Sequence, residues 1–323
     1  MKIGISGYYG YQNLGDELFL KVWKELLSEH EVYALCGYEN IESLDQIIIG
    51  GGDLLIPNFF TSAYWRPEFF KIPTWVYGVG VPTRLKALSE TCANYRSFLA
   101  RCEGVFLRDI NSKKWVIEHG VHDNPVVVND LAWAYKLPQV DFKKLRNKTL
   151  GVSIRPQSIF NENNVSRLIA EFSKDMDILL IPLQAGYDKS CNDLYLHQEL
   201  KRNVLSQNPE ASVNIIPPHA DLDQRIKFIE LVDLYITERM HGLLISLRVG
   251  TPVLPIAVGN KFYTLLAQFG QENIIVDSHD YKELLEKIKV VEDIDFSSKV
   301  NELERKSKKE LAYFKNLVLN YSN

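Results

Sequence analysis

The sequence predicts an α/β protein built as two doubly wound, parallel-sheet domains. Three observations carry this expectation. Short β-rich runs alternate with helical stretches along the chain; several of those runs are continuously apolar, as strands buried on both faces are; and the alternation weakens once, near residue 140, then restarts. Strands alternating with helices imply βαβ units and a parallel sheet. A length of 323 residues suits two domains of ordinary size.

The elements follow in order. Lys2–Ser6 reads as a buried strand, and Gly15 to Glu29 as a helix with Leu18, Val22, Leu26 and Leu27 on one face. Gln46–Ile49 is a second strand, ending in Gly50-Gly51-Gly52. Thr74–Tyr77 is a third, ending in Gly78-Val79-Gly80, and Gly104–Leu107 a fourth. Asn111–His119 reads as a helix closed by Gly120, and Val126–Val128 as a fifth strand. Tyr135 to Lys148, with Pro138 and several lysines, reads as a linker. The second set opens at Thr149–Ile154 and continues through Ile178–Ile181, Val213–Ile216, Leu234–Thr237, Pro252–Ile256 and Asn273–Val276. The expectation is therefore two Rossmann-like domains, 1–140 and 141–280, facing a central cleft. A tail of two helices, 281–323, follows, its last helix crossing back onto the first domain by analogy with two-domain enzymes of this build.

Bulk properties narrow the function. Formal net charge is -4, which argues against binding by phosphate neutralisation, so no nucleic-acid partner is expected. The four cysteines, Cys36, Cys92, Cys102 and Cys191, form no CxxC pair, so reduced thiols are expected rather than a zinc knuckle or a disulfide framework. The opening MKIGISGYYGYQNLGDE lacks a continuous apolar run, so no signal peptide is expected. No stretch approaches the ~20 apolar residues a membrane span needs, which leaves peripheral contact. A cytoplasmic location follows, extending to the inner face of the cell membrane.

Five segments could carry chemistry, all at strand ends, where ligands of open α/β sheets bind. The loop Gly7-Tyr8-Tyr9-Gly10-Tyr11-Gln12-Asn13-Leu14-Gly15-Asp16-Glu17 has neither G-x-G-x-x-G nor P-loop spacing. Gly10, Asn13 and Gly15 are expected to line the cleft. Asp16 is either a cap favoured by the helix dipole or a carboxylate that orients or deprotonates a sugar hydroxyl. Gly51, Gly52 and Asp53, and then Gly80, suggest close backbone approach to a ligand, against a plain tight turn. In Leu107-Arg108-Asp109, and again in Ser153-Ile154-Arg155-Pro156, a strand end offers a guanidinium fork for carboxylate or phosphate; for Arg108 the bland alternative is an internal Arg–Asp pair. Thr237-Glu238-Arg239-Met240-His241-Gly242 delivers Arg239 and His241, followed by a helix Gly242–Val249, and the next strand precedes Lys261. His30, His119, His122, His219 and His279 have no metal-ligand spacing, though His219 could line the second domain's ligand site. No metal and no cofactor are expected.

At these residues the chain resembles the polysaccharide pyruvyl transferases, through GYYGYQNLGDE, GGGDL, LRD, SIRP and, above all, ERMHGLLISLRVGTPVLPIAVGNKF. The resemblance implies a GT-B-like fold, phosphoenolpyruvate as donor, and a nucleotide- or lipid-linked saccharide as acceptor. It carries donor roles onto Arg108, His241 and Lys261, and an acidic role onto Asp16. Arg155 and Arg239 join the donor set from strand-end position. The family often has Tyr-Asp-x-Lys where this chain reads Val258-Gly259-Asn260-Lys261. His241 is expected as the acid and Asp16 as the base. The alternatives are a GT-B glycosyltransferase using a nucleotide sugar and a non-catalytic binding protein of the same fold. The sequence leaves the acceptor sugar and the oligomeric state open.

Overall fold

The computed structural model describes residues 1–35, 40–139, 145, 147–156, 162–186, 191–217, 220–276 and 281–321, with side chains left undescribed at 162–164 and 281–282. The chain divides into two compact units. The first comprises Met1–Gly10, Gly15–Lys136 and Glu302–Asn323; the second comprises Tyr11–Leu14 and Leu137–Asn301.

The first unit is a six-stranded sheet, β1 (Lys2–Ser6), β2 (Glu31–Leu35), β3 (Gln46–Gly50), β4 (Thr74–Val79), β5 (Gly104–Leu107) and β6 (Val126–Val127). The strand order is β2-β1-β3-β4-β5-β6, and every pairing is parallel. β3 and β4 are buried along their whole length, as the Ile47–Ile49 and Trp75–Tyr77 apolar runs anticipate. Helices α1 (Leu14–Leu26), α2 (Ser89–Leu99) and α3 (Ile110–Glu118) cover the sheet. Leu18, Phe19, Val22 and Trp23 turn the apolar face of α1 inward. The chain order reverses between β1 and β3, which makes their carboxyl ends the switch point of this sheet.

The second unit is a five-stranded parallel sheet, β7 (Thr149–Ser153), β8 (Asp177–Leu180), β9 (Val213–Ile215), β10 (Leu234–Thr237) and β11 (Val253–Pro255), in the order β11-β10-β7-β8-β9. Its helices are α4 (Glu162–Phe172), α5 (Asp193–Gln207), α6 (Leu222–Leu231), α7 (Met240–Val249), α8 (Asn260–Leu266) and α9 (Tyr281–Val291). The order reverses between β7 and β10. The final helix, α10 (Ser297–Leu319), belongs from Glu302 onward to the first unit, where Phe314 is fully buried among Trp23, Trp75, Tyr77 and Phe106.

Several elements differ from the sequence expectation. The edge strand β2 was not anticipated: its residues alternate between exposed and half-buried up to Leu35, so no apolar run announces it. The expected strand Asn273–Val276 is instead a 3-10 turn at Glu272–Ile274 followed by a single bridge from Val276 to Ile256. The turn takes up the residues that would have paired. α7 begins at Met240 rather than Gly242, so His241 lies in its first turn and not on a strand end.

Among the described residues no helix is long and apolar enough to cross a membrane. Cys92 and Cys102 stand outside any disulfide, and burial pushes Cys102 up to about 12, far from a reactive thiolate. Cys36 lies outside the described residues.

Candidate functional site

The switch point of the second sheet places two arginines side by side. Ser153, the last residue of β7, pairs in register with Thr237, the last residue of β10. Arg155 leaves the first strand and Arg239 leaves the second. Their guanidinium groups are close enough that the Arg239 charge adds to burial, the larger cause, in pulling Arg155 below its ordinary value; Glu238 and Asp193 oppose that shift. An arginine stays protonated under such pressure, so the carboxyl edge of β7 and β10 carries two adjacent cations.

The surroundings hold that pair in place. Glu238 is buried, its N–H donates to Ser153 O at 2.8 Å, and its carboxylate accepts the Arg155 N–H at 3.0 Å. Asp193, at the start of α5, is wholly buried and accepts the N–H groups of Leu183 and Gln184 at 3.0 and 3.1 Å. The same carboxylate takes Arg239 with both oxygens, Nε donating to Oδ2 at 3.2 Å and Nη2 to Oδ1. Arg239 Nη1 donates to Gln184 Oε1 at 2.8 Å. All three nitrogens of the fork are therefore engaged, through three of its five N–H groups, while the side chain keeps 15% of its surface exposed. A guanidinium anchored along one side and open along another is suited to receive an anion.

Arg239 also caps α7 in an extended conformation, with its N–H donating to Thr237 Oγ1 at 3.0 Å. Gly242 is required one turn on, because a Cβ there would stand 2.6 Å from Thr237 Oγ1 and 2.9 Å from Tyr235 Oη. The first turn of α7, which carries half-buried His241, therefore lies directly on the end of β10. Lys261 is half-buried in the first turn of α8, the helix that follows β11, the neighbour of β10. The segment Tyr11–Leu14 is part of this unit. Leu14 N–H donates to Leu183 O at 2.8 Å, Asn13 Nδ2 to Gln184 Oε1 at 3.3 Å, and Arg225 Nη1 to Gln12 O at 3.3 Å. Asn13 thus shares an acceptor with Arg239.

The first unit has a different character. Arg108, at the end of β5, is 7% exposed and pairs with Asp53, with Asp109 at 3.7 Å and with Asp130 at 3.8 Å. Those carboxylates raise its pKa further, against burial. Three acids thus surround the charge of Arg108. Asp53 is the more accessible partner, at 29%. Gly80 has a packing reason: any Cβ would collide with Arg108 Nη2 and approach Asp53 Oδ1 to 2.9 Å.

Gly51 and Gly52, also expected to approach a ligand, have close neighbours within their own unit. Gly51 and Gly52 are buried with positive φ of 84° and 80°; the first faces the Phe19 ring and the second Asp16 Oδ1, at 2.9 Å from where a Cβ would be. Gly10 is exposed, and Gly15 lies in the first turn of α1. Asp16 is 8% exposed in that same turn, where its charge, after burial, helps to hold the Tyr9 hydroxyl protonated.

Sequence reasoning missed Asp193, Gln184 and His197. Asp193 and His197 stand four apart in a helix-like stretch, a spacing that puts both on one face, but nothing in the sequence says that this face turns toward β7. His219 and His279 lie outside the described residues, and so does much of the run after Pro156. Among the described residues no cluster of three His, Cys, Asp or Glu side chains could hold a metal ion.

Comparison with known proteins gives a family and a fold. The family model described as polysaccharide pyruvyl transferase matches residues 13–260, which includes Arg155, Arg239 and His241. No curated protein matches the chain by sequence. Among solved structures, the UDP-GlcNAc 2-epimerase of Neisseria meningitidis bound to UDP-GlcNAc is 12% identical, with a TM-score of 0.61 over 99% of this chain and 100% of that one. An S. aureus protein solved with UDP is 11% identical, with a TM-score of 0.62 over 99% and 97%. A glycosyltransferase from Rickettsia africae is 10% identical, with a TM-score of 0.59 over 99% of both chains. At such identities the likeness is one of fold, a GT-B-like pair of parallel-sheet units.

Proposed function

The chain belongs to the polysaccharide pyruvyl transferase family, and from that premise we propose that it moves pyruvate from phosphoenolpyruvate onto two hydroxyls of a saccharide, forming a ketal and releasing phosphate. The observation that carries this reading is the guanidinium pair at the switch point of the second unit. Phosphoenolpyruvate bears a carboxylate and a phosphate on the same carbon, and two neighbouring forks match two neighbouring anions.

The reaction balances without a redox or metal cofactor. A proton adds to the methylene carbon, leaving positive charge on C2. One hydroxyl oxygen attacks C2 and loses its proton. The C2–O bond to phosphate breaks, and phosphate leaves with a proton while a second hydroxyl closes the ring. Arg155 and Arg239 hold the donor and offset charge growing on the leaving phosphate. His241 is the proposed acid, histidine being the side chain that enzymes most often use to hand over a proton, and Lys261 is a second anion contact. Asp16 is the proposed base for the acceptor hydroxyl, and Arg108 is proposed to act through Asp53. The acceptor is a nucleotide- or lipid-linked saccharide of a surface polysaccharide, met in the cytoplasm or at the inner face of the membrane.

A panel of saccharide acceptors incubated with phosphoenolpyruvate tests this. Expected are phosphate release and products heavier by one pyruvyl ketal. Nucleotide release from a nucleotide sugar, with phosphoenolpyruvate inert, would instead support a glycosyltransferase.

A further inference from the structure

Helix α5 turns two fully buried polar side chains toward the strand ends, Asp193 and, one turn on, His197. The work of Asp193 is visible in its bonds to Arg239. His197 faces the other arginine's strand: its Nε2 lies 3.0 Å from Ile154 O and 3.4 Å from Ile154 N. The carbonyl is nearer, so the geometry favours an Nε2–H donating to it. His197 Nδ1 is buried and makes no hydrogen bond among the described residues, which suits a bare, unprotonated nitrogen. Burial is the main cause that lowers the imidazole to about 4, so the ring stays neutral at physiological pH. A leucine would fill this space with no ring nitrogen to desolvate. The histidine instead delivers one hydrogen bond, to the backbone residue immediately before Arg155. The next backbone group, the Arg155 N–H, is taken by Glu238. Two consecutive backbone groups at the exit of β7 are thus fixed by buried side chains from two directions.

We propose that His197 is a positioning residue for the anion site: by holding the Ile154 carbonyl it sets where Arg155 leaves the sheet, as Asp193 sets Arg239 from the same helix face. As a statement about the donor it rests on the reading above; as a statement about Arg155 it stands on the geometry.

The test compares His197→Leu with His197→Gln, whose amide can still donate to the carbonyl. The leucine variant should raise the KM for phosphoenolpyruvate at least about tenfold, with kcat within about threefold of the parent. It should also speed hydrogen exchange at the Arg155 amide about tenfold. The glutamine variant should restore both. Equal KM and equal exchange in parent and leucine variant overturn the proposal. A parent that does not use phosphoenolpyruvate defeats the donor reading, and the exchange comparison then decides the positioning role alone. Should the leucine variant not fold, nitrogen-15 histidine spectra of the parent protein decide: a neutral ring protonated on Nε2 at pH 7 is expected, and protonation on Nδ1 would leave no donor for Ile154 and overturn the idea.

Discussion

Replacing Arg239 by lysine would keep the charge and lose the fork. Three guanidinium nitrogens are committed to Asp193 and Gln184, and an ammonium cannot reproduce that pattern while also meeting a ligand. Arg239→Lys should therefore raise the donor KM by at least about tenfold, a loss of roughly 1.4 kcal/mol of binding, as measured by steady-state phosphate release. His241→Ala should act differently, lowering kcat by about 100-fold or more if the imidazole supplies the proton; unchanged kcat would move the acid elsewhere. In the first unit, Gly80→Ala would drive a methyl group into Arg108. Overpacking of this kind costs about 1–3 kcal/mol, so urea denaturation should show a lower midpoint, and an unchanged one would mean that the ion pair can shift freely. Such residues differ in how far the sequence revealed them. Arg155 and Arg239 were legible because strand ends of parallel sheets gather ligand-binding groups. An Arg–Asp pair with Asp130, which ends the next strand, was legible too; Asp53 was not, because it lies far from Arg108 in sequence and only the register of β3, β4 and β5 brings it near.

At the scale of elements, short β-rich runs set between helical stretches located most strands, and the failures share a cause. β2 is an edge strand with a half-solvated face, and the 3-10 turn at Glu272–Ile274 has the apolar content of a strand without its pairing. Composition reports burial, whereas pairing depends on neighbours that the local sequence does not name. Helix α5 shows the same limit and yields a test. Its buried His197 is held near 4 when folded against an ordinary value of 6.5, chiefly by burial, with Asp193 and the Ile154 backbone opposing and the Arg239 charge adding a smaller push downward. A depressed histidine pKa means that the unfolded chain binds the proton more readily, so stability falls as pH drops below about 6.5 and levels off near the folded value. Between pH 7 and pH 5 the site should cost the second unit about 2 kcal/mol. Circular dichroism in urea would follow it, with His197→Gln flattening that part of the profile; an equal pH dependence in both proteins would show that the imidazole is already charged in the folded state.

The whole molecule adds a constraint that neither sheet shows separately. Two strings of strands forecast two sheets, and the Lys, Glu and Leu content of the tail forecast helices. What that content could not give is a destination, since an amphipathic face declares that it will be covered and not by what. In the structure Glu302 onward completes the first unit, so that core is built from the two ends of the chain. Asn129 reinforces the closure, donating its N–H and its Nδ2 to Glu310 at 2.8 and 3.1 Å. Phe314 is the anchor, with its ring 4.5 Å from that of Tyr77 and 5.7 Å from those of Trp23 and Trp75. Truncation of a buried phenylalanine costs about 3–5 kcal/mol. All five tryptophans of the chain, Trp23, Trp65, Trp75, Trp115 and Trp133, lie in the first unit, so tryptophan fluorescence reports that unit's core alone. Phe314→Ala should lower the urea midpoint seen by fluorescence by roughly 2 M, given the usual dependence of stability on denaturant for a domain of this size. A fluorescence midpoint left where it was would mean that the first sheet closes its core without the end of the chain.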